Sequence, residues 1–298
     1  MRTQIDRRSL VRWAAGAGLV GSLATTTNAA TGQKAKKDQS GSRALPKKIV
    51  VVQQDEVGPE SCVACSIYHA FVNGSRKRQK FAKKLKGASH IKKIQSLVAE
   101  WAELDSPQYS KTQKVYTESR GIAPQDIPFL LSDWWKKVGE EPMTRTIPSR
   151  NSDESDEAFV RRIHGLLTAS ESPPLISLRS FAGQWSKERE RTLWNFQTGH
   201  QVVALGVDPL PERGKISGFG IQLLDSVAGD LIPAFVYLDR RSFSATTDFT
   251  INEDDGSLNW EWKGNSPFLA VSTPDLLLGG QSLDPGTRLV VTLNQICA

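Results

Sequence analysis

The chain reads as an α+β protein, with helices gathered in its N-terminal half and antiparallel strands in its C-terminal half. Three observations lead there. Residues 61–170 carry apolar side chains at helical spacing in four segments. Beyond Pro173 and Pro174 the pattern changes to short apolar or alternating runs of strand length, broken by Gly, Pro, Asp and Asn. The two patterns do not alternate, which argues against a doubly wound βαβ order.

The first thirty residues, MRTQIDRRSLVRWAAGAGLVGSLATTTNAA, stand apart. Arg7 and Arg8 form a twin-arginine pair, an apolar run spans 13–24, and small residues end at Ala29 and Ala30. Basic, apolar and small stretches in that order resemble a twin-arginine (Tat) export signal, which implies the Tat machinery as a partner and a periplasmic or secreted location. The alternative is a basic tail beside a chance apolar run. Removing residues 1–30 takes away four arginines and one aspartate, lowering the net charge from +6 to +3. That balance does not predict nucleic-acid binding. No stretch reaches the roughly 18 apolar residues of a spanning helix, so no stable membrane insertion is expected once the signal is removed.

Residues 31–46, TGQKAKKDQSGSRALP, read as a flexible spacer, and 47–298 as one domain. KKIVVVQQ opens that domain as a short strand. Ser61 is a good N-cap for a helix over 62–71, in which Val63, Ile67, Ala70 and Phe71 face a core and Cys62, Ser66 and His69 face away from it. Three more helices follow: IKKIQSLVAEWAEL, PQDIPFLLSDWWKKVG closing at Gly139, and DEAFVRRIHGLLTAS with acids in its first turn. Residues 76–93, between the 62–71 helix and IKKIQSLVAEWAEL and overlapping the start of the latter, read RKRQKFAKKLKGASHIKK, with nine Lys/Arg and no acid. It reads as a solvated helix face, or as a surface for an anionic polymer or lipid headgroup. LISL, QVVALGV, FGIQLLD, AFVYLDRRSF, LNWEWKG, PFLAVST and TRLVVTL are the strand candidates. DSVAGDLIPAF carries no strong boundary signal, so residues 226–298 either complete the sheet or form a small β module.

The chemistry-bearing residues sit around two of these segments. GPESCVACSIYHAF places Cys62 and Cys65 at a helix start. Far downstream, GHQVVALGV and FGIQLLD flank a ten-residue loop. Paired as a symmetric antiparallel hairpin, they set Val207 opposite Gly218 and His200 opposite Asp225, with Cβ atoms about 4.5–5.5 Å apart. A thiol nucleophile needs this set. A free thiol, pKa about 8.5, is mostly protonated near neutrality, and a helix N-terminus and an imidazolium both favour the thiolate. Asp225 would hold the tautomer and charge of His200. The Cys62 N–H and a side-chain amide from Gln53 or Gln54 are candidate oxyanion donors.

A glutamine, then Cys-x-Ala at a helix start, then Gly-His before an apolar strand, and a second strand ending in Asp, resembles the papain-like cysteine peptidases, closer to their bacterial branches than to papain itself. The resemblance covers roughly residues 47–230. It implies a two-lobe fold, with a helical N-terminal lobe, an antiparallel β C-terminal lobe and a cleft between them. It also implies peptide or protein substrates, Cys62 as nucleophile, His200 as base, Asp225 as orienting acid and Gln54 (or Gln53) as oxyanion donor. Val63 directly after the cysteine, eight residues from Gln54 to Cys62 and 25 from His200 to Asp225 depart from the usual pattern. Two further readings therefore stand: a papain-like domain that binds peptide or cell-wall material without turnover, and a transglutaminase-like acyltransferase.

Cys62-x-x-Cys65 also fits a redox pair, although the βαβ context of thioredoxin-like proteins is missing. Cys62, Cys65 and His69 would need a distant fourth ligand to hold a metal. An exported chain with three cysteines leaves one unpaired, and a Cys65–Cys297 bridge would leave Cys62 free. His69 is two turns, about 10 Å, from Cys62, and reads as a surface or cleft-edge residue. His90 and His164 read as structural. No cofactor motif is present.

Overall fold

A computed structural model describes residues 41–58, 60–107, 113–119, 121–123, 126–140, 143–170, 172–188, 190–212, 214–240, 250–251, 258–259, 268–272 and 288–298. The export segment, most of the spacer and part of the strand candidates AFVYLDRRSF, LNWEWKG and TRLVVTL lie outside them.

Six helices occur among the described residues: α1 Gln54–Val57, α2 Cys62–Val72, α3 Arg76–Lys84, α4 His90–Glu103, α5 Ile127–Val138 and α6 Asp156–Ala169. Their ends follow local chemistry. Ser75, Ser89 and Ser155 accept the N–H of Arg78, Lys92 and Ala158, capping α3, α4 and α6. Pro128 sits in the first turn of α5, and Gly139 ends that helix at φ 68, a conformation that favours glycine. The strands are β1 Tyr116–Thr117, β2 Gly121–Ile122, β3 Arg145–Thr146, β4 Leu175–Ser186, β5 Arg191–Val207, β6 Gly218–Asp225, β7 Asp230–Asp239, β8 Thr250–Ile251, β9 Leu258–Asn259, β10 Phe268–Ser272 and β11 Arg288–Cys297.

β4 and β5 form a long hairpin, from Leu175↔Val203 out to Ser186↔Arg191. The order then runs β10-β7-β6-β5-β4-β11, with every pairing antiparallel. β10 also pairs with β11 through Ala270↔Thr292, which closes the six strands into a barrel and removes their free edges. β3 adds outside β11.

This corrects the two-lobe papain-like layout. The fold is α+β, but its C-terminal half is one closed barrel, and residues beyond 226 supply half of its strands. Nor does α2 belong to a separate helical lobe. Val63, Ala64, Cys65, Ile67, Tyr68, Ala70 and Phe71 are buried in one cluster with Leu175, Val203, Leu205 and Leu224 of the barrel. Val202 and Ala204 face a second cluster, shared by all six barrel strands and α6. β5 is thus buried on both faces, which is why QVVALGV is almost continuously apolar. Each large side chain buried this way contributes about 1.5–3 kcal/mol.

Two further expectations change. KKIVVVQQ is not a strand: its main chain pairs with side chains of α2, as set out below. The end of the spacer is fixed, because Arg43 exchanges main-chain hydrogen bonds with Val207 at 2.9 and 3.0 Å and its guanidinium donates to Leu167 O and Ser170 O. Within the basic run, Arg78 is buried. It pairs with Glu140 at 2.5 Å and lies 4.1 Å from the Trp135 ring centroid, whereas Arg76, Lys77, Lys80, Lys83, Lys84 and Lys86 are exposed.

Candidate active site

The turn before α2 shapes the start of that helix. Gly58 has φ 147, and Glu60 takes φ 52, a left-handed conformation uncommon for a side-chain-bearing residue. Ser61 occupies the N-cap position, but its hydroxyl donates to Gly58 O at 2.7 Å and does not cap the helix. The expected side-chain cap is therefore missing. The first N–H groups of α2, which have no partner inside the helix, are not capped by the Ser61 side chain. Cys62 opens the helix as a half-buried free thiol.

His200 lies in β5 opposite Leu178, and Asp225 ends β6. The β5–β6 register differs from the symmetric hairpin. Val203 pairs with Leu224, and a bulge between Ala204 and Gly206 brings Val207 to Ile221, not Gly218. Continued toward the site, the ladder sets Val202 opposite Asp225, two residues from the expected partner. A shift by an even number keeps every side chain on its face. The pair therefore still meets: His200 Nε2 lies 2.7 Å from Asp225 Oδ1, which also accepts the Val227 N–H at 2.8 Å.

A carboxylate only accepts, so the proton on Nε2 points at Asp225 and Nδ1 remains for the thiol. Cys62 is close enough to the ring to act on its charge. Burial alone would lower the pKa of His200. The bond to Asp225, the neighbouring Cys62 and the charges of both outweigh it and push the ring up to about 10. Asp225 is fully buried, which opposes its charge, yet His200 and the N–H groups of Val227 and Ala228 hold it below the ordinary carboxylate value.

The two glutamines have different surroundings. Gln54 donates its N–H to Ser226 O at 2.8 Å, which joins it to the residue after Asp225, and its Oε1 is buried. α1 is held from the far side by Gln95, whose side chain donates to Glu56 O and Val57 O. The Gln53 side chain is exposed and lies over Gly229, where a Cβ would collide with it.

Cys62, Ser66 and His69 of α2 fall on one stripe that its C-cap, Asn73, continues, and the stripe is not the open face expected of those three. Ser66 and His69 are fully buried. Ser66 Oγ donates to Gln201 O at 2.7 Å, next to His200. His69 Nε2 accepts the Val52 N–H at 2.9 Å. Asn73 accepts from Val50 N at 2.7 Å and donates to Val50 O at 2.9 Å. Ser66 and Asn73 were not singled out as functional; their spacing of four and eleven from Cys62 was the available signal. His69 is corrected from a surface residue to a core one. His90 accepts or donates at the Tyr68 hydroxyl, 2.6 Å away, and His164 contacts Asp208 O at 2.9 Å.

None of the three cysteines is in a disulfide, so the Cys65–Cys297 bridge is not formed. Cys65 and Cys297 are buried thiols of the same cluster as α2. Burial pushes Cys65 up to about 12, partly offset by hydrogen bonding to Ser61. The arrangement offers one half-buried sulfur near an imidazole whose pKa is raised, at the start of a helix that the Ser61 side chain does not cap. No family model matches the chain, and no curated protein matches it significantly.

Proposed function

We propose that this chain is an exported cysteine hydrolase acting on peptide or amide bonds. One observation carries the reading: His200 is bonded to the buried carboxylate of Asp225, and the half-buried thiol of Cys62 is close enough to act on its charge. The set Gln54, Cys62, His200 and Asp225 resembles that of the papain-like cysteine peptidases in chemistry, on a closed-barrel fold.

In the proposed reaction His200 takes the proton of the Cys62 thiol, and the sulfur attacks the substrate carbonyl carbon. A C–S bond forms, and the oxygen takes a negative charge near the Cys62 N–H and the Gln54 amide. The intermediate collapses as the C–N bond breaks, and His200 passes its proton to the departing amine. Water, giving a proton to His200, then attacks the thioester. The acid is released and the thiol restored.

The twin-arginine pair, the apolar run and the small residues before Ala30 support export through the Tat machinery. Among the described residues no helix is long and apolar enough to cross a membrane.

A thiol-directed epoxide tests the reading. Labelling should be lost in Cys62→Ala, and equal labelling of that variant would reject Cys62 as the reactive thiol. Product analysis with and without an added amine separates hydrolysis from acyl transfer.

A further inference from the structure

We infer that His69 is a positioning residue that sets the oxyanion glutamine, Gln54, by holding the main chain in front of it to the helix that carries Cys62. The inference rests on the hydrolase reading and extends it to a residue with no place in the reaction.

Three bonds tie the approach to Gln54 onto α2. His69 Nε2 accepts the Val52 N–H, and Asn73 takes both the N–H and the carbonyl of Val50. In a sheet these groups would be taken by a neighbouring strand, and here two side chains four apart on one helix take the strand's place. Gln54, two residues on from Val52, is then fastened to Ser226. The glutamine is therefore fixed on one side to the nucleophile's helix and on the other to the strand end that carries Asp225.

The ring is poorly suited to a purely hydrophobic role. A main-chain N–H can only donate, so Nε2 accepts and the ring proton sits on Nδ1. That Nδ1 is buried with no hydrogen-bond partner among the described residues. A hydrocarbon side chain would fill the space without that unpaired donor, but would leave the Val52 N–H unpaired in its place. Burial keeps the ring neutral, with its pKa lowered to about 4, so the acceptor is available at neutral pH.

The test separates two demands on Cys62. Alkylation by iodoacetamide needs a thiolate but no oxyanion donor. Acylation by p-nitrophenyl acetate needs both. In His69→Leu, acylation should fall at least tenfold while alkylation stays within about twofold, and His69→Gln, whose carbonyl oxygen reaches about as far as Nε2, should restore acylation. Equal loss of both rates, or loss of neither, would overturn the inference. If His69→Leu does not fold, Asn73→Ala removes the neighbouring bonds and should give the same split; an equal loss there counts against the inference. Failure of the hydrolase reading looks different: neither probe would modify Cys62 in the unaltered protein.

Discussion

Ser66 Oγ lies 2.7 Å from the carbonyl oxygen of Gln201, so α2 is bolted to β5 one turn beyond Cys62 and one residue beyond His200. The thiol and the imidazole come from segments far apart in sequence, and this buried bond fixes the separation of their supports. Ser66→Ala should cost about 1 kcal/mol in urea unfolding. It should also slow acylation of Cys62 by roughly tenfold, because small misplacements of reacting groups are expensive. An unchanged acylation rate in a destabilised variant would detach this bond from the chemistry.

Asp225 is the other half of the support. It accepts from His200 Nε2 and Val227 N with the same oxygen. Asp225→Asn can keep the shape of the turn but removes the charge that helps hold the ring cationic. The rate of Cys62 alkylation by iodoacetamide at pH 6.5 should then fall by about tenfold or more, with far-ultraviolet circular dichroism unchanged. A variant that alkylates as fast as the unaltered protein would show that the carboxylate does not sustain the imidazolium.

The sequence made the site easier to read than the architecture around it. The His200–Asp225 contact is legible from residue type and local pattern, and it survives an error of two in the register because strand alternation repeats every two residues. Barrel closure had no such local sign: it depends on β10 meeting β11 around the far side, and strand-length runs look alike in open and closed sheets. KKIVVVQQ has strand composition, yet its partners are His69 and Asn73, which no strand pattern reveals. The misreading of His69 has the same origin. A helical wheel separates polar from apolar faces, and α2 is enclosed on both, so its polar stripe met main chain instead of water.

His69 and His200 titrate in opposite senses, which makes the acid side diagnostic. Burial lowers His69 from 6.5 to about 4, with the charge of Asp225 opposing the shift and His90 adding to it. Between these values the unfolded chain binds the proton and the folded protein does not. The contribution is therefore complete above pH 6.5 and is lost as the pH falls through about 4. His200, raised to about 10, contributes fully below 6.5 and loses its contribution only as the pH rises through 10, so it is silent in this window. Urea unfolding at pH 7 and pH 4.5 should show the unaltered protein losing about 2–3 kcal/mol more than His69→Gln. Equal losses would mean that His69 is not held neutral.

Gln53 and Gln54 are adjacent, and the resemblance to cysteine peptidases does not choose between them. Their surroundings do. Gln53 is exposed and lies against the turn at Gly229, whose φ of 65 favours glycine. Gln54 is anchored through its main-chain N–H to Ser226, beside the carboxylate that holds His200, and its side-chain oxygen is buried without a hydrogen-bond partner among the described residues. An oxyanion donor needs a fixed support before the charge develops, and the main chain at Gln54 is held through Val52 on one side and Ser226 on the other. Gln54→Ala should therefore lower acylation of Cys62 by about a hundredfold, the usual loss for one such donor, and leave alkylation nearly unchanged. Gln53→Ala should alter either rate by no more than about threefold. The reverse pattern would move the donor to Gln53, and no loss in either variant would leave the main-chain N–H groups at the start of α2 as the only donors for the proposed reaction.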